Sequence, residues 1–77
     1  MSDLRRAIGS LSVKDFEKAV EFYKKEHRIL ERNIQVAKDF LVLGKLQIVI
    51  AEERGLTKQL VHKQCKRLYD AYLTLNK

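Results

Sequence analysis

The chain has 77 residues with 16 Lys/Arg against 10 Asp/Glu, a formal charge of +6, and 45% of its positions are apolar. That is enough for one small domain near the lower size limit for independent folding, and too apolar for a disordered chain. No apolar run approaches the ~20 residues that span a bilayer, and Met1-Ser2-Asp3-Leu4 carries no apolar signal-peptide core, so a cytoplasmic location is expected.

The absence of proline and the presence of only three glycines favour an all-α reading, a small bundle of four to five helices in a single domain over residues 1–77. Ser2 is placed to cap a short opening helix that ends near Gly9. Ser12 opens a stronger one: its hydroxyl can accept from the N–H of Asp15, whose carboxylate faces the positive helix end. Val13, Phe16, Ala19, Val20 and Tyr23 then follow at helical spacing. The polar run Lys24-Lys25-Glu26-His27-Arg28 reads either as a turn or as the exposed part of a continuous helix.

A second amphipathic stretch covers residues 28–42. Leu30, Ile34, Ala37 and Leu41 form one face, widened by Ile29, Val36 and Phe40, and Gly44 terminates it. A third helix fits residues 45–54, with Leu46, Val49, Ile50 and Ala51 apolar, and Gly55 terminates that one. The last helix starts with Thr57 as N-cap and runs to about Leu75. Its apolar positions Val61, Cys65, Leu68, Tyr72 and Leu75 step by 4, 3, 4, 3, a heptad-like seam.

Charge is uneven along this plan. Residues 1–53 hold ten basic and nine acidic side chains, whereas residues 54–77 hold six basic ones against Asp70 alone. A basic stripe concentrated on one element is the footprint of a phosphate-binding surface.

The third and fourth helices carry a helix-turn-helix pattern over about residues 45–67. Counting from Gln47, the fifth position is Ala51, small enough for two helices to approach closely. The ninth is Gly55, free to adopt the left-handed turn conformation. The fifteenth is Val61, which plugs the second helix into the core. In such a motif the first helix crosses the DNA backbone and the second enters the major groove. With Val61, Cys65 and Leu68 facing inward, the opposite face of the long C-terminal recognition helix bears Lys58, Gln59, His62, Lys63 and Lys66. All five carry hydrogen-bonding groups suited to base edges and phosphates.

From Leu41-Val42-Leu43-Gly44-Lys45-Leu46-Gln47 through Ala51, Gly55-Leu56-Thr57, Val61 and Arg67, the chain resembles the TrfB/KorA group of plasmid transcriptional repressors. Leu11-Ser12 and Phe16-x-x-Ala19-Val20 extend the resemblance more loosely, and between Phe16 and Ile34 this chain is a few residues longer. The resemblance implies a repressor of plasmid replication, maintenance or transfer genes that binds a palindromic double-stranded DNA operator as a homodimer. The family's base-reading basic residue falls on Lys58, and its base-reading glutamine is replaced here by Lys63, which implies a different operator. Base reading is therefore assigned to Lys58, Gln59, His62 and Lys63. Phosphate contact is assigned to Lys45, Gln47, Thr57, Lys66 and Arg67, and to Arg54, which departs from the usual apolar residue and can snorkel out to a phosphate. The family carries a C-terminal dimerisation domain and this chain ends soon after the recognition helix. The expected dimer surfaces are Tyr69, Tyr72, Leu73 and Leu75, or the opening helix at residues 3–8.

Two further function classes fit the residues. One is a helical protein-interaction module that docks through the 61–75 seam, with the basic face steering an acidic partner. The other is a nonspecific DNA-coating protein. No phosphate loop, serine elbow or paired-carboxylate motif points to an enzyme. His27, His62 and Cys65 do not have zinc spacing, so no metal or cofactor is expected, and no small-molecule ligand is evident. Cys65 reads as a small buried residue, His27 as a residue without a role, and Tyr23, Tyr69 and Tyr72 as core or interface.

Overall fold

A computed structural model describes residues 4–77. A 3-10 helix (Leu4–Ala7) precedes four α-helices: α1 (Val13–Lys24), α2 (Glu31–Leu41), α3 (Gln47–Arg54) and α4 (Lys58–Leu75). No strand occurs among the described residues, in line with the all-α expectation. Ser2, expected to cap the opening helix, lies outside the described residues.

Local chemistry sets most of the boundaries. The Ser12 hydroxyl accepts from the N–H of Asp15 at 3.1 Å and starts α1. The polar run after it is a turn. The N–H groups of Glu26 and His27 both donate to the Tyr23 carbonyl, at 3.3 and 3.0 Å, and the Tyr23 and His27 rings lie 4.8 Å apart. α2 starts at Glu31, later than the expected 28. Leu30 is its N-cap in extended conformation and is 64% exposed. It therefore does not share the inner face expected of it, because an extended N-cap residue sits off the helical register.

The carbonyls at the end of α2 are met by the segment that follows the 3-10 helix. Gly9 N–H donates to Phe40 at 2.8 Å and Leu11 N–H to Leu41 at 3.0 Å. This strap runs close to the α2–α3 turn: a Cβ on Gly9, whose φ is +61°, would lie 3.4 Å from the Gly44 Cα.

α4 is the central element and packs against α1, α2, α3 and the 3-10 helix. Val61, Cys65 and Leu68 are fully buried. They meet Phe16 and Val20 of α1, Ile34, Ala37, Phe40 and Leu41 of α2, and Ile50 and Ala51 of α3 in one core. The seam of α4 is thus consumed internally as far as Ala71, and Leu73 and Leu75 beyond it are exposed. An interaction module would need that seam free, so its burial removes the feature that favoured such a reading.

Cys65 has the buried setting expected of it. Burial pushes its thiol up from an ordinary 9.0 to about 12. The folded value lies above the unfolded one, so this group's contribution to stability is complete below about pH 9 and is lost as pH rises towards 12. Wild-type denaturation midpoints should fall more between pH 9 and 11 than those of Cys65→Val. A thiol reagent at pH 8 should modify Cys65 only as fast as the chain opens. Rapid labelling of the native protein would contradict this.

Candidate nucleic-acid interface

α3 ends where the sequence demands a left-handed residue. Gly55 has φ 64° and ψ 37°, and Leu56 N–H reaches back to the Ala51 carbonyl at 2.9 Å, satisfying an orphan acceptor. Thr57 follows in extended conformation, and its hydroxyl accepts from Leu60 N–H at 3.1 Å, which caps α4. The Gly55 and Thr57 caps together fix the turn from α3 into α4. Ala51 and Val61 are both buried where the helices meet, as the pattern requires.

The outer face of α4 then follows from helical geometry. Lys58, Gln59, His62, Lys63, Lys66 and Arg67 are all exposed. Lys66 Nζ lies 3.2 Å from the Asp70 carboxylate, one turn on, in a half-exposed pair. An ion pair this exposed contributes little, so the lysine can exchange Asp70 for another anion. The other five hold no side-chain partner among the described residues.

Along one flank of α4, Lys58, His62 and Lys66 border a groove of about 610 Å³, with Arg5 of the 3-10 helix and Gln47 of α3 also lining it. Phe40, Leu46 and Ile48 also line it, and among the described residues no acidic side chain does. Sequence alone does not single out Arg5, because only the fold brings the N-terminal turn beside α4. Leu46, expected as an apolar residue inside the third helix, is instead the N-cap of α3 and largely exposed. It has no side-chain cap, so the first N–H groups of α3 stay available to an anion.

Two of the expected phosphate ligands have internal partners. Lys45 Nζ is 2.9 Å from Glu53 Oε1 on the exposed surface. The hydrogen bond and the charge of Glu53 hold the Lys45 pKa above its ordinary value. Arg54 differs more from expectation. Its Nε donates at 2.9 Å to Oδ2 of Asp39, a carboxylate only 8% exposed, while the arginine side chain is 32% exposed. It ties α3 to α2 rather than reaching away from the fold. Sequence reasoning misses Asp39 because an acid on an amphipathic helix reads as solvated until its partner, fifteen residues on, is placed.

Among the described residues no group of His, Cys, Asp and Glu could hold a metal ion, and no helix is long and apolar enough to cross a membrane.

Two helices joined through a left-handed glycine, the second capped by threonine, buried along one side and basic along the other, define a helix-turn-helix protein. The family model for TrfB plasmid transcriptional repressors matches residues 11–76, nearly the whole chain, and the protein belongs to that family. The family is one of transcriptional repressors and not an enzyme class. Comparison with curated proteins and with solved structures gave no match.

Proposed function

We propose that this protein is a sequence-specific repressor that places the N-terminal half of α4 in the major groove of a palindromic operator controlling plasmid maintenance or transfer genes. Lys58, Gln59, His62 and Lys63 face the base edges. Lysine donates to guanine O6 or N7, and glutamine pairs in bidentate fashion with adenine, so the operator contains guanines opposite Lys58 or Lys63. Lys45, Gln47, Thr57, Lys66 and Arg67 contact phosphates and set the register. A homodimer supplies two half-sites. Leu73 and Leu75, exposed at the end of α4, together with the stacked Tyr69 and Tyr72, form the surface best suited to join the two copies. In the opening 3-10 helix Leu4 and Ala7 are already buried in the chain's own core.

The observation that carries this reading is the exposed row Lys58, Gln59, His62 and Lys63, without side-chain partners among the described residues, directly after the Gly55 turn of a chain of a repressor family. Selecting bound DNA from a random pool tests it. The expected product is a palindrome preferred over bulk DNA by ~10³-fold or more. Its affinity should fall with salt at a log–log slope of about −0.9 per neutralised phosphate. A pool that stays random after selection would overturn the proposal.

A further inference from the structure

Lys58 and Arg67 stand nine residues apart on α4, about two and a half turns at 3.6 residues per turn, and so lie on opposite flanks of the helix. The Lys58 flank faces the groove already described. The Arg67 flank opens on a second hollow, of about 460 Å³, between α4 and the corner joining α1 to α2. Lys24, His27 and Arg28 line it from the corner, and among the described residues no acidic side chain lines it. Lys24, Arg28 and Arg67 have no salt-bridge partner among the described residues. The acids that flank Arg28 in sequence, Glu26 and Glu31, do not line the hollow, and Glu31 accepts a hydrogen bond from Gln35 at 3.1 Å. The corner is not a loose loop: the two N–H bonds to Tyr23 and the Tyr23–His27 ring contact hold it. Three basic groups therefore surround one concavity that no acidic side chain among the described residues lines, Glu17, Glu21 and Glu31 bordering a separate hollow that shares only Lys24 with it, an arrangement that concentrates positive potential and attracts an anion.

We infer that this hollow is a second phosphate-binding site, which takes backbone phosphates of the DNA strand on the wall of the major groove opposite to the Lys58 flank. The inference rests on the proposed DNA-binding function. The major groove is roughly 12 Å wide and a helix with its side chains is roughly 10–12 Å across, so a helix seated in it meets a phosphate strand on each side. Anchoring one flank alone leaves the helix free to roll about its axis. Lys24 and Arg28, acting with Arg67, fix the roll and with it the side chains that reach the bases. They lie outside the helix-turn-helix, at the corner between α1 and α2.

The test compares the full chain with Lys24→Ala/Arg28→Ala and with Lys24→Glu/Arg28→Glu, on the selected operator and on random duplex DNA over a range of salt. Both positions are exposed, and circular dichroism checks that the variants fold. The alanine pair should make the salt slope shallower by about 2 per protomer and weaken both DNAs by a similar factor, on the order of tenfold. The glutamate pair should weaken both further. Phosphate-ethylation interference should appear on both strands of a half-site for the wild type and fade on one strand for the variants. A wild type that selects its operator, with a salt slope unchanged in the alanine pair, overturns the second site and leaves the DNA-binding proposal standing. A loss confined to the operator, with random DNA unaffected, also overturns it, since that is the signature of a base contact. A wild type that binds neither DNA overturns both.

Discussion

Arg54→Met is expected to destabilise the fold by about 2–3 kcal/mol, more than any other single change at the surface of the helix-turn-helix. Asp39 is almost wholly buried and its Oδ2 accepts from the Arg54 Nε. Removing the guanidinium leaves a buried carboxylate without its counter-charge. Breaking a buried pair in this way costs roughly 3–5 kcal/mol when both ends are buried. The arginine end is about a third open to water, so solvent partly replaces it and the lower figure applies. In a domain of this size that corresponds to a fall in melting temperature of about 10–20 °C. Asp39→Asn should cost less, about 1 kcal/mol, because the amide oxygen still accepts from Arg54 and no charge is stranded. Asp39→Leu combined with Arg54→Met should recover most of the loss, since no buried charge then remains. Urea titration of wild type, Arg54→Met, Asp39→Leu and the double variant closes the cycle and gives the coupling energy. A loss below about 0.5 kcal/mol for Arg54→Met would place the pair among ordinary surface salt bridges.

That pair also shows where reading the sequence reaches and where it stops. Features encoded over three or four residues are legible: the Ser12 cap on Asp15, the Gly55 turn and the Thr57 cap on Leu60 all occupy the expected places. The core stripe of α4 is legible for the same reason, because period 3.6 is a property of the helix itself. Its continuation to Leu75 is not. The spacing persists, but at that end Leu75 borders an open hollow shared with polar residues of α1 instead of the core, and it is left exposed. The local polarity of the 24–28 run is equally compatible with helix and with turn. In the structure α1 stops at Lys24, and its last turn is closed by Glu26 and His27 N–H groups on the Tyr23 carbonyl and by the Tyr23–His27 ring contact.

Relations between distant segments need the fold. Arg54 reads as an outward cation because its own helix says nothing of Asp39 on the preceding one. Arg5 and Lys24 read as unremarkable surface charges because their position relative to α4 is set by three packed helices. The exposed row of α4 itself is predictable, since a helix whose inner face is known has only one outer face. The candidate site is therefore legible along α4 and illegible at its two edges, where other elements supply the neighbouring charge.

The row makes the second large prediction. Lys58→Ala together with Gln59→Ala should abolish discrimination between operator and random DNA while leaving random-DNA affinity and its salt slope nearly intact, the slope falling by no more than about 1 per protomer for the missing lysine. Each well-made base contact discriminates by roughly 1–3 kcal/mol, and a dimer on a palindrome makes every such contact twice. Removing two base-reading side chains from each protomer therefore amounts to at least about 4 kcal/mol, or roughly a 10³-fold fall in preference, which is most of what separates a specific from a nonspecific complex. Lys66→Ala is the matched control. Its side chain stands on the same face but already neighbours Asp70. As a phosphate ligand it should weaken operator and random DNA by the same factor and make the slope shallower by about 1 per protomer. The two variants are separated by a ratio of affinities rather than by affinity itself, so loss of folded protein, which lowers both DNAs together, cannot imitate the first. If the Lys58/Gln59 variant still prefers the selected palindrome as strongly as wild type, the bases are read elsewhere and the outward face of α4 serves only the phosphates.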